Sequence, residues 1–81
     1  MEIRLKKQPQ KYLMAVDENT RQKLYKALDQ IKELEGNIKK LKGYKNLYRY
    51  KIAHYRILFS LDTTIEIITV EEINTRTNIK Y

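Results

Sequence analysis

Cysteine is absent from this 81-residue chain, so disulfides, thiolate metal sites and a thiol nucleophile are all unavailable. One histidine, His54, argues against the usual zinc ligand sets and a histidine-paired triad. Two glycines and one proline exclude a low-complexity or collagen-like chain. No apolar run approaches the roughly 20 residues of a membrane helix. The opening stretch MEIRLKKQPQ lacks the apolar core of a secretion signal, so a cytoplasmic protein without membrane contact is expected. The length accommodates one small domain over residues 1–81, with a single modest core.

What is plentiful is positive charge. Seventeen Lys and Arg face ten Asp and Glu, a net +7, which makes an anionic partner the natural expectation. Between Glu35 and Asp62 no acidic residue occurs, whereas Lys39, Lys40, Lys42, Lys45, Arg49, Lys51 and Arg56 all do. Tyr44, Tyr48, Tyr50 and Tyr55 are interleaved with them.

The hydrophobic pattern divides the chain into elements. Ile3 and Leu5 alternate with Glu2, Arg4 and Lys6, as in a half-buried strand. Pro9 suits the first turn of a short helix with Tyr12, Leu13 and Val16 on its apolar stripe, and Asp17 is placed to cap the next. Leu24, Ala27, Leu28, Ile31 and Leu34 follow helical spacing, and Gly36 is expected to supply the left-handed residue that ends that helix. A basic linker over residues 37–46 leads to a change of period. Tyr48, Tyr50 and Ile52 alternate with Arg49 and Lys51; Tyr55, Ile57, Phe59 and Leu61 alternate with Arg56 and Ser60. A tight turn at Ala53-His54 pairs Lys51 with Arg56, Tyr50 with Ile57 and Tyr48 with Phe59. Ala-His is a poor match for the glycine-rich two-residue turns, which leaves a longer connection open. After a turn at Asp62-Thr63, Ile65, Ile67, Ile68 and Val70 read as an inner strand, with a bulge expected between Ile67 and Ile68. The order is β-α-α-β-β-β. The expected class is α+β, a small, mainly antiparallel sheet with two N-terminal helices on one face.

On this register Arg49, Lys51 and Arg56 project from the sheet face opposite the tyrosines. Cations directly across from one another are unfavourable, so a sequence selected only for stability would avoid them; an entering polyanion would neutralise them. The plain alternative is long side chains splayed into water. If the polyanion is RNA, cleavage can use the 2′-OH against its own phosphate. Arginines hold phosphate oxygens bidentately, and fixed cations stabilise the charge that develops. Crowding by Arg49 and Arg56 disfavours the protonated form of Lys51, which makes it the internal candidate for proton transfer. Tyr81 could stack on a base or share a proton. His54 reads as a turn residue, and Glu71 and Glu72 read as balancing charges.

The segments Lys40-Leu41-Lys42-Gly43, Tyr48-Arg49-Tyr50-Lys51-Ile52, Tyr55-Arg56-Ile57 and Ile73-Asn74-Thr75-Arg76 resemble the RelE/ParE superfamily of type II toxin–antitoxin toxins, the RelE branch in particular. The resemblance covers nearly the whole chain. It implies a ribosome-dependent, metal-independent and cofactor-free endoribonuclease that cuts mRNA in the ribosomal A site. It also implies catalytic roles for Arg49, Lys51, Arg56, Arg76 and Tyr81, with contacts to mRNA and ribosomal RNA. Lys39, Lys40, Lys42 and Lys45 are expected to bind that RNA. Arg49 stands where the family pattern suggests lysine, and arginine is a poor base, so phosphate stabilisation suits it better. A cognate antitoxin, expected to be acidic, is implied as partner. Two other readings remain: a ParE-like toxin that inhibits DNA gyrase without nuclease activity, and a non-catalytic RNA-binding domain.

Overall fold

A computed structural model describes residues 1–75 of the protein. The elements are β1 (Glu2–Leu5), α1 (Lys7–Ala15), α2 (Glu18–Lys32), β2 (Ile38–Lys40), β3 (Leu47–Ile52), β4 (Tyr55–Asp62) and β5 (Ile67–Thr75). The strands form one sheet in the order β1-β5-β4-β3-β2. The α+β layout therefore matches expectation, with two corrections. The sheet is mixed, because β1 pairs in parallel with β5 (Ile3 opposite Ile68, Leu5 opposite Val70). The supposed linker also contains a fifth strand, β2, paired antiparallel with β3. Only three residues long and two-thirds lysine, β2 has no apolar alternation to reveal it; charged side chains on a short edge are a common guard against edge-to-edge association. Among the described residues, no helix is long and apolar enough to cross a membrane.

Both helices cover the same sheet face. Leu24, Ala27, Leu28 and Ile31 of α2 and Leu13 of α1 join Tyr50, Ile57, Phe59, Ile68, Val70 and Ile73 in the core. Burying such a side chain fully stabilises by about 1.5–3 kcal/mol. Tyr48 stacks on Phe59 with ring centroids 5.6 Å apart, and Tyr12 meets Tyr55 edge-on at 6.4 Å.

Side chains tie the elements together. Arg21 of α2 donates to the carbonyls of Leu13 (2.8 Å) and Val16 (2.9 Å), which closes the exposed end of α1. Where β1 stops, Gln8 takes over its pairing role: Nε2 donates to Ile73 O at 2.7 Å, while Ile73 N–H donates to Oε1 at 2.9 Å. Asp17 sits at the N-cap of α2 in extended backbone but closes no capping hydrogen bond. Glu18, next to it, accepts from Gln22 and Arg21, which hold its carboxyl below the usual range.

The end of α2 departs from the sequence reading. Glu35 N–H bonds Gln30 O (2.8 Å) and Leu34 N–H bonds Ile31 O (2.9 Å), the paired closure of a Schellman motif. The left-handed residue is Leu34, at φ +56°, not Gly36. Leu34 consequently leaves the apolar stripe and is 47% exposed. A non-glycine residue in this conformation stores about 1–2 kcal/mol. Leu34→Gly should therefore raise stability by roughly 0.5–1 kcal/mol, net of the chain entropy that glycine adds. An unchanged or lower urea midpoint would mean the Leu34 side chain packs better than its exposure indicates.

The bulge is displaced as well. Leu58 pairs with Glu72 and Phe59 with Val70, so the extra residue is Glu71. The apolar positions themselves carry this signal: the inward residues run Ile68, Val70, then Ile73, a change of parity across Glu71 and Glu72. Ile65, expected within the strand, lies in the preceding turn and is 61% exposed. Asp62 organises that turn, its Oδ1 accepting from Thr64 N–H at 3.0 Å and Ile65 N–H at 3.3 Å.

Candidate functional site

The β3–β4 hairpin carries the site. Its register is as expected, with Lys51 opposite Arg56, Tyr50 opposite Ile57 and Tyr48 opposite Phe59. The connection is the short one, Ala53-His54, made possible by Ala53 at φ +50°. Lys51 donates its amide away from β4, to Asn37 O at 3.3 Å. The Lys51–Arg56 pair is thus a non-hydrogen-bonded one, the type in which Cα atoms lie about 4.5 Å apart and side chains are closest. Because Tyr48, Tyr50, Ile57 and Phe59 point to the helices, strand alternation sends Arg49, Lys51 and Arg56 to the opposite face, which no helix or strand among the described residues covers. β2 adds Lys39 opposite Arg49, and β5 adds Asn74 opposite Arg56 and Glu72 opposite Leu58.

This face is more than a solvated lawn of charge. Arg49, Lys51 and Arg56 are each half-buried. Leu58, between Arg49 and Glu72 in the same cross-strand row, is only 5% exposed although it belongs to this face and not to the helix-side core. It gives the cations an apolar floor. Arg49 Nη1 is shut off from solvent and makes no hydrogen bond among the described residues. A charged donor left this way is costly, by about 1–3 kcal/mol or more.

The other expected residues divide. Lys39 shares the uncovered face, whereas Lys40, opposite Tyr48, is on the helix side of the sheet. Lys42 and Lys45 are exposed in the loop that follows β2. The four lysines do not form one surface. Arg76 and Tyr81 lie outside the described residues. His54 is exposed at the hairpin tip. Tyr12 and Tyr50, whose phenols burial pushes above the ordinary tyrosine value, are both on the helix side, away from the cations.

One constellation escaped the sequence reading. The bulge residue Glu71 accepts a hydrogen bond from Ser60 Oγ (2.8 Å) and pairs with Lys6 Nζ at 2.5 Å. Its carboxylate is thereby engaged, and it flanks the cation row instead of neutralising it. The parity change across Glu71 was the available clue.

A model described as the ParE toxin of the type II toxin–antitoxin system, parDE, matches residues 3–77. The chain belongs to this toxin family. Solved structures similar to the toxin include a chain of the archaeal RelE–RelB complex from Pyrococcus horikoshii OT3. That match has TM-score 0.77 and 21% identity, and covers 96% of the toxin and 97% of that chain. A chain of the RelB–RelE antitoxin–toxin complex from Methanococcus jannaschii matches with TM-score 0.73 and 24% identity, at 91% of each chain. A chain of the intact E. coli RelBE complex gives TM-score 0.76 and 20% identity over 91% of the toxin and 94% of that chain. Comparison with curated proteins finds no match. The toxin thus stands in the RelE/ParE superfamily, its family model named for ParE and its structural neighbours for RelE.

Proposed function

We propose that this toxin is an endoribonuclease that cleaves mRNA on the ribosome, and that a cognate acidic antitoxin restrains it. The observation that carries this reading is the convergence of Arg49, Lys51 and Arg56 on one uncovered, half-buried face with an apolar floor. A phosphodiester laid across the hairpin would meet two guanidiniums able to hold its non-bridging oxygens and one amine able to accept a proton. Lys51 takes the 2′-OH proton, the 2′-oxygen attacks phosphorus, and the P–O5′ bond breaks to leave a 2′,3′-cyclic phosphate. The departing 5′-oxygen takes a proton from solvent water, and the hydroxide so formed is neutralised by the proton that Lys51 releases. Arg49 and Arg56 stabilise the charge that peaks on the phosphorane between these events. Arg76 and Tyr81 are proposed to complete the set, and Lys39 to extend it along the same face.

The family model's name favours a second reading, a ParE-type toxin directed at DNA gyrase. Mapping transcript ends after induction, with translation running and with initiation blocked, separates the two. Expected are new ends within translated regions that vanish when initiation is blocked. Intact transcripts alongside trapped or broken DNA would transfer the toxin to the gyrase class.

A further inference from the structure

The loop that joins β2 to β3 forms a second feature, around the sheet edge from the cation row. Lys40, Leu41, Lys42, Gly43 and Tyr44 line a shallow groove of about 400 Å³. Leu41 anchors the loop, half-buried and with its amide bonded to Leu47 O at 2.9 Å. Gly43 turns the chain at φ +82°, and apart from its two chain neighbours no residue has a heavy atom within 4 Å of where its Cβ would be. Tyr44 is 43% exposed, a large aromatic surface without a ring partner among the described residues. Two ammonium groups therefore flank an exposed aromatic plane in a segment with no nearby acid in sequence.

The geometry points to this groove as a seat for one unpaired nucleotide of RNA, with its base stacked on Tyr44 and its flanking phosphates on Lys40 and Lys42. The inference rests on the RNA-directed reading above and adds a contact distinct from the cleavage face. An acidic protein segment would satisfy the lysines but has no use for an open aromatic plane beside a glycine gap. A nucleotide uses all three, because every base offers a π-face and stacking tolerates any sequence. Position supports the same conclusion. Lys39 points to the cleavage face while Lys40 points to the other, so a strand passing over the β2 edge could touch both.

The test is fluorescence anisotropy with a labelled 12-nucleotide single-stranded RNA, 2′-O-methylated so that it cannot be cut, and a duplex of the same sequence. Tyr44→Ala should weaken single-strand binding by about 5- to 150-fold, the range of a lost base–aromatic stack. Tyr44→Phe should stay within about twofold of the wild type. The double variant Lys40→Gln/Lys42→Gln should lower the slope of log affinity against log salt by about 1.4, two phosphate contacts for a single strand. Equal binding by Tyr44→Ala and wild type, or equal affinity for the duplex, would overturn the groove assignment, as would a Tyr44→Ala defect seen only in antitoxin capture. Transcript mapping on the same variants keeps the two readings apart. A Tyr44 effect on RNA binding without translation-dependent cuts would retain the groove and reject the nuclease. Cuts without any Tyr44 effect would do the reverse.

Discussion

Lys51→Ala and Arg56→Ala should each abolish growth arrest on expression and reduce translation-dependent cleavage by at least about a hundredfold, while the melting temperature stays within several degrees of wild type. The magnitude follows from the roles. Removing a positioned proton-transfer group typically forfeits about 10²–10⁴ in rate, and removing one fixed donor aimed at developing charge forfeits about 10²–10³. The modest stability effect follows from the register. Lys51 and Arg56 face each other across β3 and β4, and like charges so placed oppose folding by a few tenths to about 1 kcal/mol. Deleting one relieves that repulsion, which offsets part of what is lost with the side chain and its contacts. Lys51→Arg is the sharper variant, since it keeps a long basic side chain and the strand pairing but supplies no usable base; it should bind RNA and fail to cut it. Full toxicity in all three variants would remove the cations from the chemistry and favour a target read through another surface.

Gly36→Ala should be the most damaging single-methyl change in the described chain, with a loss of about 3 kcal/mol. Two causes add. Gly36 is at φ +90°, where an L-residue is strained by about 1–2 kcal/mol. A Cβ there would also fall 2.6 Å from Gln30 Oε1 and 2.6 Å from Tyr50 Cε2. Tyr50 cannot easily retreat, because it is 4% exposed within the core and its hydroxyl donates to Gln30. Overpacking of that kind costs typically about 1–3 kcal/mol. For a domain of this size each kcal/mol moves the melting temperature by about 4–8 °C, so a fall well beyond 10 °C is expected by circular dichroism. Gly43→Ala is the control: its φ is +82° but nothing crowds the added methyl, so only the backbone strain should register. Equal losses in the two variants would show that the Tyr50 contact yields at no cost.

How far the sequence could be read depended on whether a residue's partner left a mark in the local pattern. The β3–β4 hairpin was legible because Tyr48, Tyr50, Ile57 and Phe59 alternate strictly with Arg49, Lys51 and Arg56, and a slip of one residue would invert both faces. The α2 stripe was legible for the same reason at helical period. β2 was not, since its placement is fixed by pairing with Tyr48, Arg49 and Tyr50 and not by its own three residues. Gly36 stands out in the sequence as a helix stop, but its purpose is spatial: it lets Tyr50 approach, while Leu34 takes the left-handed turn that ends α2. The parallel pairing of β1 with β5 is a long-range choice that leaves no local trace. Of the expected catalytic set, Arg49, Lys51 and Arg56 come together on one face, because each is fixed by the same hairpin register.

The position of β5 has a temporal consequence. It lies between β1 and β4, yet it is the last described element in chain order, so β1 stays unjoined to the rest of the sheet until β5 has been made. Until β5 arrives, Arg56 lacks its neighbour Asn74, and the Gln8 amide has no Ile73 backbone to clasp. The cation face is therefore finished in one late step, when a single strand threads between two partners already made, and not hairpin by hairpin.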